Sequence, residues 1–139
     1  MKSFLRSVLA VVAGVIVAGL FIVGIETIGH RLYSPPAEFD LKNPEALRDM
    51  VRSMPLAAIG SVLLAWVIGA LAGAWVAARI AMQWRVGHAG VIGAVILAGA
   101  AANMLMIPHP AWMWVGALVL IPLAAYAGGR WATRVRSAA

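Results

Sequence analysis

The sequence contains no cysteine and very little charge. Among its 139 residues, Lys and Arg together number 11, Asp and Glu number 5, and charged residues make up 12% of the chain. The absence of cysteine excludes disulfides, thiolate metal sites, iron–sulfur clusters and a cysteine nucleophile. The shortage of charge excludes an ordinary soluble domain, in which about 25% of the residues are charged.

Apolar residues take the place of the missing charge. They make up 63% of the sequence, and so much apolar surface is stable only in contact with lipid. The net charge of +6 does not indicate nucleic-acid binding, because the basic residues cluster at the ends of the apolar runs, where they set membrane topology. We therefore expect an integral membrane protein whose direct partner is the lipid bilayer, with no nucleic-acid partner.

The positions of the charged residues delimit the membrane spans. Uncharged runs of 19 and 26 residues are followed by a run of 44 between Arg85 and Arg130. As a single helix the last run would be about 66 Å long, at ~1.5 Å per residue, against a hydrocarbon core of ~30 Å. It must therefore turn back, and Pro108-His109-Pro110 is the break near its middle. Neither proline has an N–H, and each disfavours helical backbone in the residue before it.

The predicted fold class is all-α: an integral membrane four-helix bundle that forms a single membrane domain over residues 1–139. Transmembrane helices are predicted at about 5–29, 55–79, 88–107 and 111–130. The runs do not alternate apolar and polar residues, which argues against a membrane β-barrel. The first run is expected to stay as a membrane helix. It is longer than the ~7–15 apolar residues of a signal peptide, and no convincing A-x-A cleavage site follows it.

A short amphipathic helix is predicted at about 44–53, in the loop after the first span. Asn43-Pro44-Glu45 has the pattern of a helix N-cap followed by proline at the first helical position. Apolar residues then recur at i, i+3, i+4 and i+7, as Leu47, Met50, Val51 and Met54. This spacing predicts a helix that lies in the plane of the membrane interface.

The distribution of Lys and Arg predicts the orientation. With four spans, both termini share one side of the membrane, and most basic residues lie on that side: Lys2, Arg6, Arg79, Arg85, Arg130, Arg134 and Arg136. On the other side, basic residues are offset by acidic ones: Arg31, Lys42, Arg48 and Arg52 against Glu38, Asp40, Glu45 and Asp49. The positive-inside rule then places both termini in the cytoplasm of a bacterial inner membrane. Loop 31–53 and the Pro-His-Pro turn are predicted to face the periplasm.

Small residues at four-residue spacing predict where helices touch, because lipid supplies no hydrophobic drive for helix association and close packing must replace it. Three spans carry such stripes: Gly14 and Ala18; Ala65, Gly69, Gly73 and Ala77; Gly90, Ala94, Ala98 and Ala102. Packing inside one bundle and packing in a homo-oligomer both fit this pattern.

Four polar residues form the candidate ligand-binding site: Glu26, His30, Asn103 and His109. Glu26 and His30 are four residues apart and share one helix face. At ~1.5 Å per residue, all four lie about 27–36 Å from the inner charged residues, in one layer near the outer edge of the hydrocarbon. They can converge if the first, third and fourth spans are neighbours.

Several chemistries fit this set. Glu26, His30 and His109 are candidate ligands for zinc, iron, manganese or copper, and nearby methionine thioethers would favour copper(I). A proton relay through Glu26 and His30 is a second hypothesis. Haem ligation by His30 and His109 is the least favoured, because a histidine between two prolines is a poor match for ligation from a helix. In a purely structural interpretation, Glu26 meets headgroup water or pairs with Arg31, His109 caps the hairpin and Asn103 bonds a neighbouring helix.

The leading functional hypothesis is a small non-enzymatic membrane protein whose periplasm-facing polar pocket binds a cation or a small ligand, alone, as a homo-oligomer or as a subunit of a larger complex. One alternative is a metal-dependent membrane enzyme or redox protein that uses the same Glu/His cluster. The other is a small proton-coupled transporter or channel, which would need a polar path to the cytoplasm. Catalytic residues cannot be named, since the sequence has no phosphate loop, nucleotide fingerprint, serine-nucleophile motif or HExxH.

Overall fold

The computed structural model describes residues 2–33 and 43–137. These residues form five helices and no strand: α1 (Lys2–Leu32), α2 (Pro44–Ser53), α3 (Leu56–Ile80), α4 (Arg85–Met106) and α5 (Ala111–Ser137). All of them except α2 are long and apolar enough to cross a membrane. The predicted all-α fold and the four helices of membrane-spanning length are therefore confirmed for the described part of the chain.

The helices extend beyond several of the predicted ends. α1 begins at Lys2 instead of residue 5, α4 begins at Arg85 instead of 88, and α5 continues to Ser137 instead of ending at 130. The predicted ends followed the edge of the apolar run. Backbone hydrogen bonding can continue past that edge, because a long basic side chain can reach water from a helix position beyond the apolar run.

α3 is the central helix, in contact with α1, α4 and α5. Its small residues let the neighbouring helices approach closely. A Cβ on Gly73 would lie 2.5 Å from the carbonyl oxygen of Gly14 and 2.8 Å from the Cβ of Ala18. A Cβ on Gly69 would lie 2.9 Å from the carbonyl oxygen of Ala18. The stripes predicted on the first two spans are thus confirmed as the α1–α3 contact face.

The stripe predicted on the third span does not pack inside the chain. Its four residues, Gly90, Ala94, Ala98 and Ala102, are exposed. α4 instead buries the adjacent face: Ala89, Ile92, Gly93, Ile96, Ala100 and Met104. Packing density explains why this face of α4 turns inward. Ile92 fills the space beside Gly14 and Gly73, and a stripe of small residues would leave that space empty. The prediction of packing within the bundle was wrong for this stripe. The homo-oligomer alternative stays a prediction.

α2 is confirmed as a helix within the predicted bounds. The side-chain oxygen of Asn43 accepts hydrogen bonds from the backbone N–H groups of Glu45 (3.0 Å) and Ala46 (3.4 Å), as an N-cap does. Val51 is buried, and Met50 and Met54 pack against the same apolar core. The apolar face of α2 therefore rests on one end of the bundle. Its position in a membrane interface stays a prediction.

The Pro-His-Pro motif forms the predicted turn between the last two spans. The backbone of Ile107 leaves the helix in an extended conformation (φ −117°, ψ 121°), which ends α4. The carbonyl oxygen of Pro110 accepts a hydrogen bond from the N–H of Met113 (3.0 Å) in the first turn of α5. The turn lies at the same end of the bundle as α2, since residues of both line one hollow.

Candidate functional site

Glu26 and His30 lie near the C-terminal end of α1. With residues of α3 and of the turn that follows α2, they line a hollow of about 60 Å³, here called the Glu26 hollow. Its lining residues are Glu26, Gly29, His30, Tyr33, Met54, Ala58, Ser61 and Val62. Its polar lining residues are Glu26 and His30 of α1, Tyr33 directly after α1, and Ser61 of α3.

Short-range hydrogen bonds orient two polar side chains of the Glu26 hollow, those of His30 and Ser61. Nδ1 of His30 lies 2.8 Å from the backbone carbonyl oxygen of Glu26. Because a carbonyl oxygen only accepts, Nδ1 is the nitrogen that carries the hydrogen. The Ser61 hydroxyl donates to the carbonyl oxygen of Ala58 (2.7 Å), so its oxygen keeps acceptor capacity toward the hollow. Glu26 is a half-buried residue.

Gly29 allows α1 to approach this part of α3. A Cβ at this position would lie 3.0 Å from the hydroxyl oxygen of Ser61, which is tighter than an ordinary van der Waals contact. The absence of a side chain at Gly29 therefore leaves Ser61 beside Glu26 and His30, and sets the width of the hollow.

His109 lies in a different environment. Its ring packs against the buried Trp66 of α3, with ring centroids 6.4 Å apart. Its Nδ1 donates to the backbone carbonyl oxygen of Ile107 (2.6 Å). The residue lines a second hollow of about 350 Å³, here called the His109 hollow, together with Arg48, Val51, Arg52, Pro108 and Pro110.

The four candidate residues do not line a common pocket. Glu26 and His30 share the Glu26 hollow, His109 lines the His109 hollow, and Asn103 is exposed and lines neither of them. The reason is the position of α3. Ser61 faces the first hollow and Trp66 contacts His109, and these two side chains leave α3 roughly 140° apart at ~100° per residue. The second span, not a contact between the first and third, organises this end of the bundle.

The proposed metal set of Glu26, His30 and His109 has no support in this geometry. Within residues 2–33 and 43–137, no group of three or more His, Asp or Glu side chains is placed to hold a metal ion. Two residues of such a set share a hollow, but the third, His109, lines another. The haem hypothesis needs His30 and His109 on one iron, and it lacks support for the same reason.

Some residues that line the two hollows were not identified from the sequence as candidate site residues. Tyr33 and Ser61 complete the Glu26 hollow, and Arg48 and Arg52 complete the His109 hollow. The arginines carry a signal that could have been used: they are four residues apart and flank the apolar face of α2. Ser61 carries no such signal, because a single serine inside an apolar run usually bonds only its own helix.

A larger groove of about 600 Å³ lies between α1 and α4, at the opposite end of the bundle. Most of its lining is apolar, from Val8, Val11, Val12 and Val91. On the outside of a membrane bundle, lipid chains fill such a groove without any specific recognition. It is therefore a weaker candidate than the two polar hollows.

No protein-family model, curated protein or solved structure matches this chain. A bundle of four helices hosts many unrelated functions, so the fold class does not indicate one. The function has to be inferred from the chemistry and the geometry of the two hollows.

Proposed function

We propose that this chain is a small multi-pass protein of the bacterial inner membrane, with both termini in the cytoplasm, that binds a single small cation in the Glu26 hollow and catalyses no reaction. The observation that carries the proposal is the half-buried residue Glu26, which lines one small hollow together with Tyr33 and Ser61. A partly desolvated carboxylate favours a counter-charge close to it.

The size of the hollow supports a small guest. A water molecule needs ~10–15 Å³ of such space, so a volume of about 60 Å³ has room for an ion with a few waters and favours an ion over an organic substrate. Carboxylate, hydroxyl and phenol oxygens are ligands typical of hard cations. Because one carboxylate balances one positive charge, a monovalent ion such as sodium or potassium is the guest that fits best.

The packing beneath the hollow favours binding over conduction by a single chain. α1 and α3 are in backbone contact at Gly14 and Gly73, and Ala18 lies against Gly69. Among the described residues, no polar or charged residue is buried in the bundle. A transporter or channel would need polar groups along a path to the cytoplasm, and a metal-dependent enzyme or redox protein would need a ligand set. No specific observation favours either alternative.

The test is cation-dependent stability of the full chain, purified in mild detergent in a choline chloride buffer. Adding sodium or potassium is expected to raise the melting temperature of the wild type, because a ligand that binds only the folded state stabilises it by about 2.7 kcal/mol at one hundred times its Kd. Glu26→Gln keeps the shape but removes the charge, and should abolish the shift. Gly29→Ala should reduce it by narrowing the hollow.

Glu45→Gln is the matched control, since Glu45 is exposed on α2 and does not line the hollow. An equal cation response in the wild type and in Glu26→Gln would contradict the proposal. Cation flux into proteoliposomes that Glu26→Gln abolishes would favour the transporter instead. Stoichiometric transition metal in the tag-free protein, lost in His109→Ala, would restore the metal-site hypothesis.

A further inference from the structure

Two elements that are far apart in sequence line the His109 hollow, and one of them supplies positive charge. Arg48 and Arg52 come from one flank of α2, and the turn between α4 and α5 supplies the opposite wall with His109. The acidic residues of α2, Glu45 and Asp49, do not line the hollow. On the helix, at ~100° per residue, Glu45 lies roughly 60° from Arg48 and about 20° from Arg52, and Asp49 lies roughly 60° beyond Arg52. Among the described residues, the lining carries two permanent positive charges and no negative one.

The wall opposite the arginines is held in one conformation. Prolines on both sides of His109 restrict the backbone. The ring is fixed by the 2.6 Å hydrogen bond from Nδ1 to the carbonyl oxygen of Ile107 and by its packing on Trp66. Val51, which is 7% exposed, anchors the arginine-bearing helix to the core. The two sides of the hollow are thus tied to the same packed core, unlike a cluster of arginines on a mobile surface.

From this geometry we infer that the His109 hollow is a binding site for a phosphate group, such as the phosphodiester of an anionic lipid headgroup. The guanidinium group of arginine presents parallel N–H donors that match two phosphate oxygens. Two arginines one helical turn apart can bind one phosphate together. The volume of about 350 Å³ leaves room for a glycerol phosphate moiety beyond the bare ion. This site shares no lining residue with the Glu26 hollow, so each proposal can fail alone.

The experiment measures lipid retention by native mass spectrometry. The full chain is equilibrated in detergent micelles that contain phosphatidylglycerol or phosphatidylcholine. Wild-type protein is expected to retain phosphatidylglycerol preferentially. The double variant Arg48→Gln/Arg52→Gln should bind it roughly thirtyfold more weakly, because one charge contact is lost for each arginine. Both side chains are exposed, so the helix content measured by circular dichroism should not change.

Arg31→Gln is the matched control, because Arg31 is an exposed arginine near the same end of the bundle and does not line the hollow. It should change the affinity by less than about twofold, because solvent and salt screen an exposed charge outside the hollow. In the double variant Arg48→Lys/Arg52→Lys, which keeps the charge but not the planar donors, the loss should be smaller than with glutamine. This variant also keeps the test decisive if the glutamine variant misfolds.

A competition step separates the two sources of phosphate. If soluble glycerol phosphate displaces the lipid from the wild type, the ligand class includes free phosphate esters. If it does not, the ligand is the lipid itself. Retention of phosphatidylglycerol that is unchanged in the double glutamine variant would overturn the inference. An equal loss in Arg31→Gln would also overturn it, because the preference would then come from overall positive charge.

Discussion

Two prolines and a buried tryptophan hold His109 in place. The prolines end one helix and start the next, and Trp66 of α3 supplies a surface on which the imidazole rests. The ring nitrogen nearest the backbone is already engaged with Ile107. His109 is therefore a fixed part of the wall that faces Arg48 and Arg52. The residues that line its hollow include no second histidine and no carboxylate that could bind a metal with it.

A substitution at Gly73 tests the close approach of α1 and α3. Gly73→Ala should destabilise the protein by about 1–3 kcal/mol, because the new methyl group would overlap the carbonyl oxygen of Gly14 and the Cβ of Ala18. The measurement is thermal unfolding in detergent, followed by circular dichroism. Gly99→Ala is the control, since nothing lies within 4 Å of a Cβ at Gly99. That change should be neutral or stabilising by up to about 1 kcal/mol. Equal effects of the two substitutions would show that the helices are not in backbone contact.

At the scale of elements, α2 depends on contacts at both of its ends. Asn43 caps its first turn, and the N–H of Met54 bonds the carbonyl oxygens of Met50 and Val51 in its last. A helix of ten residues is too short to be stable alone, so its cap and its contacts with the bundle have to stabilise it. This matters for function because α2 forms one wall of the His109 hollow, and Met54, directly after α2, borders the Glu26 hollow.

Removing the cap should therefore loosen α2 before any other helix. Asn43→Ala is expected to cost about 1 kcal/mol of local stability, which corresponds to roughly fivefold faster amide hydrogen exchange in α2. Exchange measured by mass spectrometry on peptic fragments checks this, with α3 as the internal reference. Asn103→Ala, at an exposed position on α4, should leave the exchange of α2 unchanged. Unaltered exchange in Asn43→Ala would mean that packing of Val51 alone holds the helix.

The stripes of small residues show how far a pattern predicts contact. All three have the same spacing, yet those of α1 and α3 are buried and that of α4 is exposed. Spacing defines which residues share a helix face. It does not define which face meets a neighbour, because that depends on the side chain that fills the remaining space. In α4 this residue is Ile92, fully buried beside the α1–α3 contact.

At the scale of the whole molecule, the predicted orientation is open to a direct test. The chain has no cysteine, so single cysteines can be placed without a background. We expect Ser53→Cys to react with a membrane-impermeant maleimide in intact bacterial cells, because it lies in the loop predicted to face the periplasm. Ser3→Cys and Gln83→Cys should react only after the cells are permeabilised. All three positions are exposed.

The opposite labelling pattern would reverse the orientation. It would place both hollows on the cytoplasmic side, and the cation and phosphate sites would then face different solutions from those proposed. The binding experiments in detergent would not be affected, since they do not depend on the side of the membrane. The labelling experiment therefore tests the topology separately from the chemistry.

The sequence by itself determined the local features of this protein. Apolar length set the four helices of membrane-spanning length, paired prolines set the last turn, and Asn43 with Pro44 set the start of α2. The spacing of Glu26 and His30 also placed both on one face of α1. These outcomes depend on helix geometry, on backbone restriction by proline and on the cost of unpaired polar groups in lipid, all of which act between residues close in the chain.

Only the tertiary structure decided which faces meet. It put α3 at the centre, separated His109 from Glu26 and His30, and brought Arg48 and Arg52 opposite the Pro-His-Pro turn. Lipid solvates every apolar helix face about equally well, so hydrophobicity cannot choose among them. The choice depends on the fit of particular side chains across helices, such as Ile92 beside Gly14 and Gly73, and that fit exists only once the helices are assembled.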